Sequence, residues 1–442
     1  MKVTRLWSLW QGILLSVALS FSPRGKQRFV QWVTGLALNV EEHTVTQSLV
    51  GLGRPQDWKA LEAFAEYGGW HLRLLQYDLA RRVERVPDRL WHGYRVWAGD
   101  DTKVHRNSPD VWGTCTFHEY SARCPNRAST VRAHNWVVVG ALLPQAEQPA
   151  LFLPTAGLLY FRKSQLPAAG KGPPVTFRTK CELLVELGRQ HAKACPGKNL
   201  LVFDGGFALR SVVRRLVKPD DPAQPRVEFL TRLRHDARLH ALPPAERRAR
   251  QRGPSPKWGR RLPPPRQGGR WPAPWQTGQA YVYGRVRQVR YKEVICLWRV
   301  LGHDVQVKAV VAEVQGYKKR FTLVSSATDL SGLQMVELFC ARFRQEDGFR
   351  DLKGRLGWEE CRAWTRNPIE RTTHAAFTAL TALRLLQIEL QQAAGDDWWL
   401  HPPWNPRKTR PSVLDAQRLL RQHKEGIQRC LAQWLDGEEN TE

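Results

Sequence analysis

The segment Asn199-Leu-Leu-Val-Phe-Asp204 is apolar at four consecutive positions, closes on an acid, and runs into Gly205-Gly206-Phe207. It lies between Thr179 to His191 and Phe207 to Val217, two stretches with apolar residues at helical spacing. A fully apolar strand between two helices needs a sheet covered on both faces, so this unit demands an α/β architecture.

The flanking sequence extends that reading. Strand-like runs precede the unit at Tyr94-Arg-Val-Trp-Ala-Gly-Asp100, near Gly113 to Tyr120, and at Trp136 to Leu142; another follows at Arg226 to Leu233. Residues 1–89 instead show helical periodicity, with helices expected near Leu6 to Phe21, Gln27 to Ala37 and Thr44 to Leu52, and from Asp57 through Tyr67. This is the pattern of a small helical N-terminal domain. Thr44-Val-Thr-Gln-Ser before the turn Gly51-Leu-Gly-Arg-Pro55 is compatible with a helix-turn-helix that binds DNA, although short helices joined by a glycine turn occur in many folds. Lys2 and Arg5 precede the apolar run Ile13 to Leu19 as in an export signal. That run is too short to span a bilayer, and no small-x-small cleavage site follows it, so a core helix is expected.

Residues 243–276 contain nine prolines and nine Lys or Arg against the single acid Glu246, which reads as a basic, extended loop. Four strand-like runs follow, near Ala280 to Val286, Val294 to Arg299, Val305 to Val311 and Phe321 to Ser325. Helical sequence then runs from Asp329 to about Gln392, with breaks expected near Gly354 to Gly357 and at Pro368. Ser412 with Asp415 predicts a capping box at a last helix.

Lys and Arg number 68 against 41 Asp and Glu, a formal charge of +27. That excess points to a polyanionic partner, and its spread along the whole chain, without a long basic amphipathic helix, favours nucleic acid over a membrane surface. The eight cysteines include no CxxC pair, which argues against a zinc ribbon or a disulfide framework and for reduced thiols.

Three acids stand out. Asp100 and Asp204 each close an apolar strand, where a sheet edge opens to a ligand. The plain alternative for Asp204 is a turn-forming Asp before Gly205-Gly206. Within Glu337 to Lys353, positions 339, 342, 346, 349 and 353 share one helical face, which carries Phe339, Arg342, Glu346, Phe349 and Lys353. A carboxylate flanked by a guanidinium and an ammonium suits a metal ion with phosphates beside it; the bland alternative is a solvated Arg–Glu pair. His118 and His134 lie near the strands and receive no role.

At these residues the sequence resembles the DDE transposases of bacterial insertion sequences, in the branch whose third acid lies in Tyr-x2-Arg-x3-Glu-x6-Lys. Here the motif reads Phe339-x2-Arg342-x3-Glu346-x6-Lys353, with Phe replacing Tyr. A strand ending in Asp100-Asp101-Thr102, a second in Asp204-Gly-Gly-Phe, and Leu-Val-Ser-Ser before the Glu helix are also similar, over roughly residues 25–390.

The resemblance implies an RNase H-like catalytic core, residues 90–235 and 329–395, interrupted by a β-rich insertion at 236–328 and followed by a C-terminal tail and helix at 396–442. It implies Asp100, Asp204 and Glu346 as catalytic metal ligands for two Mg²⁺ ions, with Mn²⁺ able to substitute. The spacing leaves Asp101 as an alternative first acid, while the family pattern Asp-x-Thr favours Asp100. The implied substrate is double-stranded DNA, the element's terminal inverted repeats and a target, bound by a self-associating, cytoplasmic, nucleoid-associated protein. Phe339, Arg342, Lys353, Arg232 and Arg234 are the expected DNA contacts, with the Arg247 to Arg270 loop tracking phosphates and Trp258, Trp271 or Trp275 holding an extruded base. The alternative function is a catalytically inactive, sequence-specific DNA-binding derivative of such an enzyme.

Overall fold

The structure, a computed structural model, describes residues 2–119, 129–145, 148–166, 174–244 and 254–439. Cys124 and the Arg247 to Arg252 part of the basic loop lie outside the described residues. The seven described cysteines are free thiols.

Among the described residues, five α-helices precede the first strand: α1 (Val3–Leu15), α2 (Pro23–Leu38), α3 (Gln47–Gly51), α4 (Trp58–Tyr67) and α5 (Leu72–Glu84). The Ser22 hydroxyl accepts the Gly25 N–H and Pro23 opens α2, two ordinary helix-start devices. The apolar N-terminal run begins inside α1, whose Leu6, Trp10, Ile13 and Leu14 are buried. No helix among the described residues is long and apolar enough to cross a membrane. The expected helix over Thr44 to Leu52 shrinks to the five residues of α3. It packs against α2 at Gly35, where a Cβ would stand 2.4 Å from the Ser48 carbonyl oxygen.

Among the described residues, eleven strands form one mixed sheet: β1 (Arg95–His105), β2 (Cys115–His118), β3 (Thr130–Gln145), β4 (Gln148–Tyr160), β5 (Asn199–Phe203), β6 (Glu228–Arg232), β7 (Leu239–His240), β8 (Gln276–Val282), β9 (Arg285–Trp298), β10 (Gln306–Val314) and β11 (Phe321–Ser325). Their order is β2-β3-β1-β5-β6-β11-β10-β9-β7, with β4 beside β3 and β8 beside β9. β5 lies parallel to both β1 and β6 and is buried at every position. The strands of residues 276–325 therefore continue the central sheet through the β6–β11 pairing.

Two strand expectations need correction. β4 has no counterpart in the sequence reading, because Pro149 and Pro154 argue against a strand interior. It is an edge strand on β3, and the register slips between Val139 and Gly140, skipping Thr155 next to Pro154. The run Ala280 to Val286 is not one strand but a hairpin. Tyr283 (φ 46°) and Gly284 (φ 91°) make the two-residue turn between β8 and β9, a backbone conformation that tyrosine seldom signals.

The remaining helices are α6 (Lys180–Ala194), α7 (Arg210–Val217), α8 (Gly332–Ala341), α9 (Arg344–Arg355), α10 (Arg366–Ala394), α11 (Val413–Gln422) and α12 (Lys424–Glu439). Capping boxes open α6 at Thr179 and Glu182, and α11 at Ser412 and Asp415. Pro368 does not break α10. It falls in the first turn, where the missing N–H costs nothing. α10 is buried around much of its circumference and packs against α1, α2, α4, α5, α9, α11 and β4. The helices and the sheet consequently share one hydrophobic core.

Candidate active site

The parallel pairing of β1 with β5 ends at Gly99 opposite Phe203. Asp100 and Asp204 are the next residues on the two chains, so they stand abreast where the sheet splits. β1 itself does not end at Asp100, as its sequence suggests, but runs on to His105 paired only with β3. Gly99 permits the close packing of α6 behind this point: a Cβ there would meet Leu184 Cδ1 at 2.5 Å.

Arg342 fills the space between the two acids. Its Nη1 donates to Asp100 Oδ2 at 2.6 Å, and its Nη2 lies 3.9 Å from Asp204 Oδ1. The guanidinium and the Asp100 side chain are mostly buried, 14% and 17% exposed, whereas Asp204 is 51% exposed. Burial pushes the Asp100 carboxyl up to about 6; Arg342 and the Asp101 N–H oppose that rise, while the charges of Asp101 and Glu346 add to it. Asp101 projects to the other face of β1, as strand alternation requires, and its Oδ2 accepts from Lys180 Nζ at 2.6 Å.

The expected single helix carrying Phe339 through Lys353 is two helices. Between α8 and α9 the bonds from Phe343 N–H to Cys340, Gln345 N–H to Arg342 and Glu346 N–H to Phe343 all close over three residues. Arg342 opens this tightened 3₁₀ stretch and reaches Asp100 from it. Arg342 and Glu346 form no ion pair. Glu346 is exposed on the first turn of α9, close enough to Asp100 to act on its charge.

The flanking residues have their own partners in the fold. Phe339 is buried, 5.8 Å from the Arg342 guanidinium. Phe349 packs edge-on against Phe152. Lys353 Nζ donates to the Lys103 carbonyl and lies 3.4 Å from Glu359, so it braces β1. His134 is buried against the Trp112 carbonyl. Trp271 is buried, with Nε1 donating to Pro263. Trp258 stacks near His240 and Arg299, and Trp275 is covered by Arg290 and Lys292. The aromatic rings that do border the break after α8 are Tyr283 and Phe343, 5.7 Å apart. A bulky residue at a hairpin tip was the only trace of them in the sequence.

Hard divalent cations take carboxylate oxygens, so the donor chemistry of Asp100, Asp204 and Glu346 fits such an ion. The two aspartates already face one cation, the Arg342 guanidinium. Among the described residues, no three His, Cys, Asp or Glu side chains are gathered closely enough to hold a metal ion in this arrangement.

A family model described as DDE superfamily endonuclease matches residues 20–296. The chain belongs to this family. The DDE match contains Asp100 and Asp204 and stops before Glu346. Membership makes the DDE chain an enzyme of the nuclease or transposase type, with DNA as its substrate and a mixed α/β fold. No curated protein matches the sequence.

Proposed function

We propose that the chain is a DNA transposase that cleaves phosphodiesters at the ends of a mobile element and joins the freed ends to target DNA. The observation that carries this reading is the placement of Asp100 and Asp204 abreast at the split between β1 and β5, with a cationic group already held between them.

Asp100, Asp204 and Glu346 would hold divalent metal, Mg²⁺ or Mn²⁺ in its place, which supplies activation of the attacking oxygen and stabilisation of the leaving one. The chain itself contributes a rigid carboxylate pair at a sheet edge and a guanidinium that balances their charge. Half-exposed Asp204 presents its carboxylate to a substrate arriving from solvent, while buried Asp100 is fixed by Arg342 and by its own Asp101 N–H. In the first step a water oxygen bonds to phosphorus and the bond to the 3′ oxygen breaks, leaving a 3′-hydroxyl. In the second step that hydroxyl attacks a target phosphodiester and displaces another 3′ oxygen. Inserting an element by both of its ends takes two such transfers at one target, which fits a self-associated complex.

Cleavage of a duplex carrying the element end with Mg²⁺ tests the reading. Asp204→Asn and Asp100→Asn are expected to lower the rate by about 10³-fold or more, a loss of roughly 4 kcal/mol of transition-state stabilisation. Asp101→Asn retains most activity, since its partner is Lys180. Unaltered cleavage by Asp204→Asn overturns the proposal, and absence of cleavage in the unmodified chain favours the inactive DNA-binding alternative.

A further inference from the structure

Next to Asp204, on the side away from Asp100, lies a groove of about 420 Å³. Four separate pieces of chain build it: Asp204 to Gly206 after β5, Arg232 to His235 at the end of β6, Pro265 and Arg266 of the Pro-rich loop, and Lys319 to Thr322 at the start of β11. Because β5, β6 and β11 are neighbours in the sheet, the groove crosses their ends in that order. It leads from the carboxylates toward the strands of residues 276–325.

Its charge is one-sided. Arg232, Arg234, Arg266, Lys319 and Arg320 line it, with Asp204 at its head. Arg234 is paired with Asp236 and Arg320 with Glu313, both at the surface. Arg232, Arg266 and Lys319 have no ion pair among the described residues. At the head of the groove Gly206 contributes no side chain, and a Cβ built there would meet nothing within 4 Å. An open glycine floor with cationic walls admits a chain of phosphates close to the backbone.

We propose that this groove binds the sugar–phosphate backbone of the DNA strand that reaches Asp204. The inference rests on the nuclease reading of the carboxylates. Two strand spacings of about 4.8 Å separate β5 from β11, so the groove spans roughly 10 Å. Successive phosphates rise by about 3.4 Å along the duplex axis and lie farther apart along the strand itself, so a short run of phosphates fits that span. Arg232, Arg266 and Lys319, the three cations without ion pairs among the described residues, line this span and are each placed to contact a phosphate of that run.

The test is the salt dependence of binding to a fluorescein-labelled duplex of arbitrary sequence, with the full chain in EDTA so that cleavage does not intervene. Neutralising Arg232, Arg266 and Lys319 together to Gln is expected to flatten the plot of log Kd against log salt by about 2.7, three contacts at about 0.9 each. It is also expected to weaken binding at least tenfold at low salt. The exchange Arg232→Lys, Arg266→Lys and Lys319→Arg keeps the charges and is expected to keep the slope, which separates charge loss from misfolding. Neutralising Arg418, Lys424 and Arg429 on the last two helices removes as much charge elsewhere and is expected to move the slope by less than one. An unchanged slope in the groove variant, or an equal change in the distant one, overturns the proposal. If the slope is unchanged while cleavage still depends on Asp204, the groove alone fails; if cleavage survives Asp204→Asn, the nuclease reading fails whatever the slope.

Discussion

The Arg342 guanidinium donates to Asp100 at 2.6 Å across 242 positions of sequence, and the same group approaches Asp204 at 3.9 Å. A guanidinium is always charged and cannot ligate a metal, so in this position it competes with a divalent ion for the same oxygens.

Arg342→Gln is therefore expected to bind Mn²⁺ more tightly than the unmodified chain in the absence of DNA. The expected gain is about tenfold, or about 1.4 kcal/mol. Titration followed by the electron paramagnetic resonance of free Mn²⁺ reads it directly. Weaker binding would show that Arg342 organises the acids and does not compete for them.

Stability is expected to fall with pH through the mildly acidic range. Burial depresses His191 and His374 to about 4 and His134 to about 3, so all three are neutral in the fold. In the unfolded chain they protonate near the ordinary value of about 6.5. Between that value and about 4 the unfolded state binds protons that the folded state refuses, so their contribution is intact above about pH 6.5 and drains away below it. Each histidine contributes at most about 1.4 kcal/mol per pH unit there. Urea unfolding midpoints that stay constant from about pH 7 to about pH 5 would contradict this.

Trp271→Ala is expected to cost roughly 3–5 kcal/mol of stability, because the ring is almost wholly buried and its N–H is bonded to Pro263. At a temperature where the variant stays folded, its DNA affinity should match that of the parent. Loss of affinity without loss of stability would instead assign Trp271 the role of a base-stacking residue.

Much of the sheet was legible in the sequence. Asn199 to Phe203 could only be a buried strand, and the helical spacing of Thr179 to His191 announced the helix before it. β4 was hidden because Pro149 and Pro154 speak against a strand unless its edge position and bulge are known. The break between α8 and α9 contains no glycine or proline, so periodicity carried straight through it. Only the register of Gly99 against Phe203 brings Asp100 and Asp204 together, and register between distant strands leaves no local trace. The same holds for Arg266 and Lys319, which share a groove because the Arg266 N–H donates to the His235 carbonyl beyond β6 while Lys319 leads into the neighbouring β11.

Because β5, β6 and β11 belong to one uninterrupted sheet, no hinge separates Asp204 from Arg232 or from the turn that carries Lys319. The sheet thereby acts as a ruler. On the proposed reading, the number of nucleotides between the severed bond and the phosphates gripped beyond it is a constant of the architecture. A substrate altered in length across that interval would have to bulge or slip, since the protein offers no travel to absorb the difference.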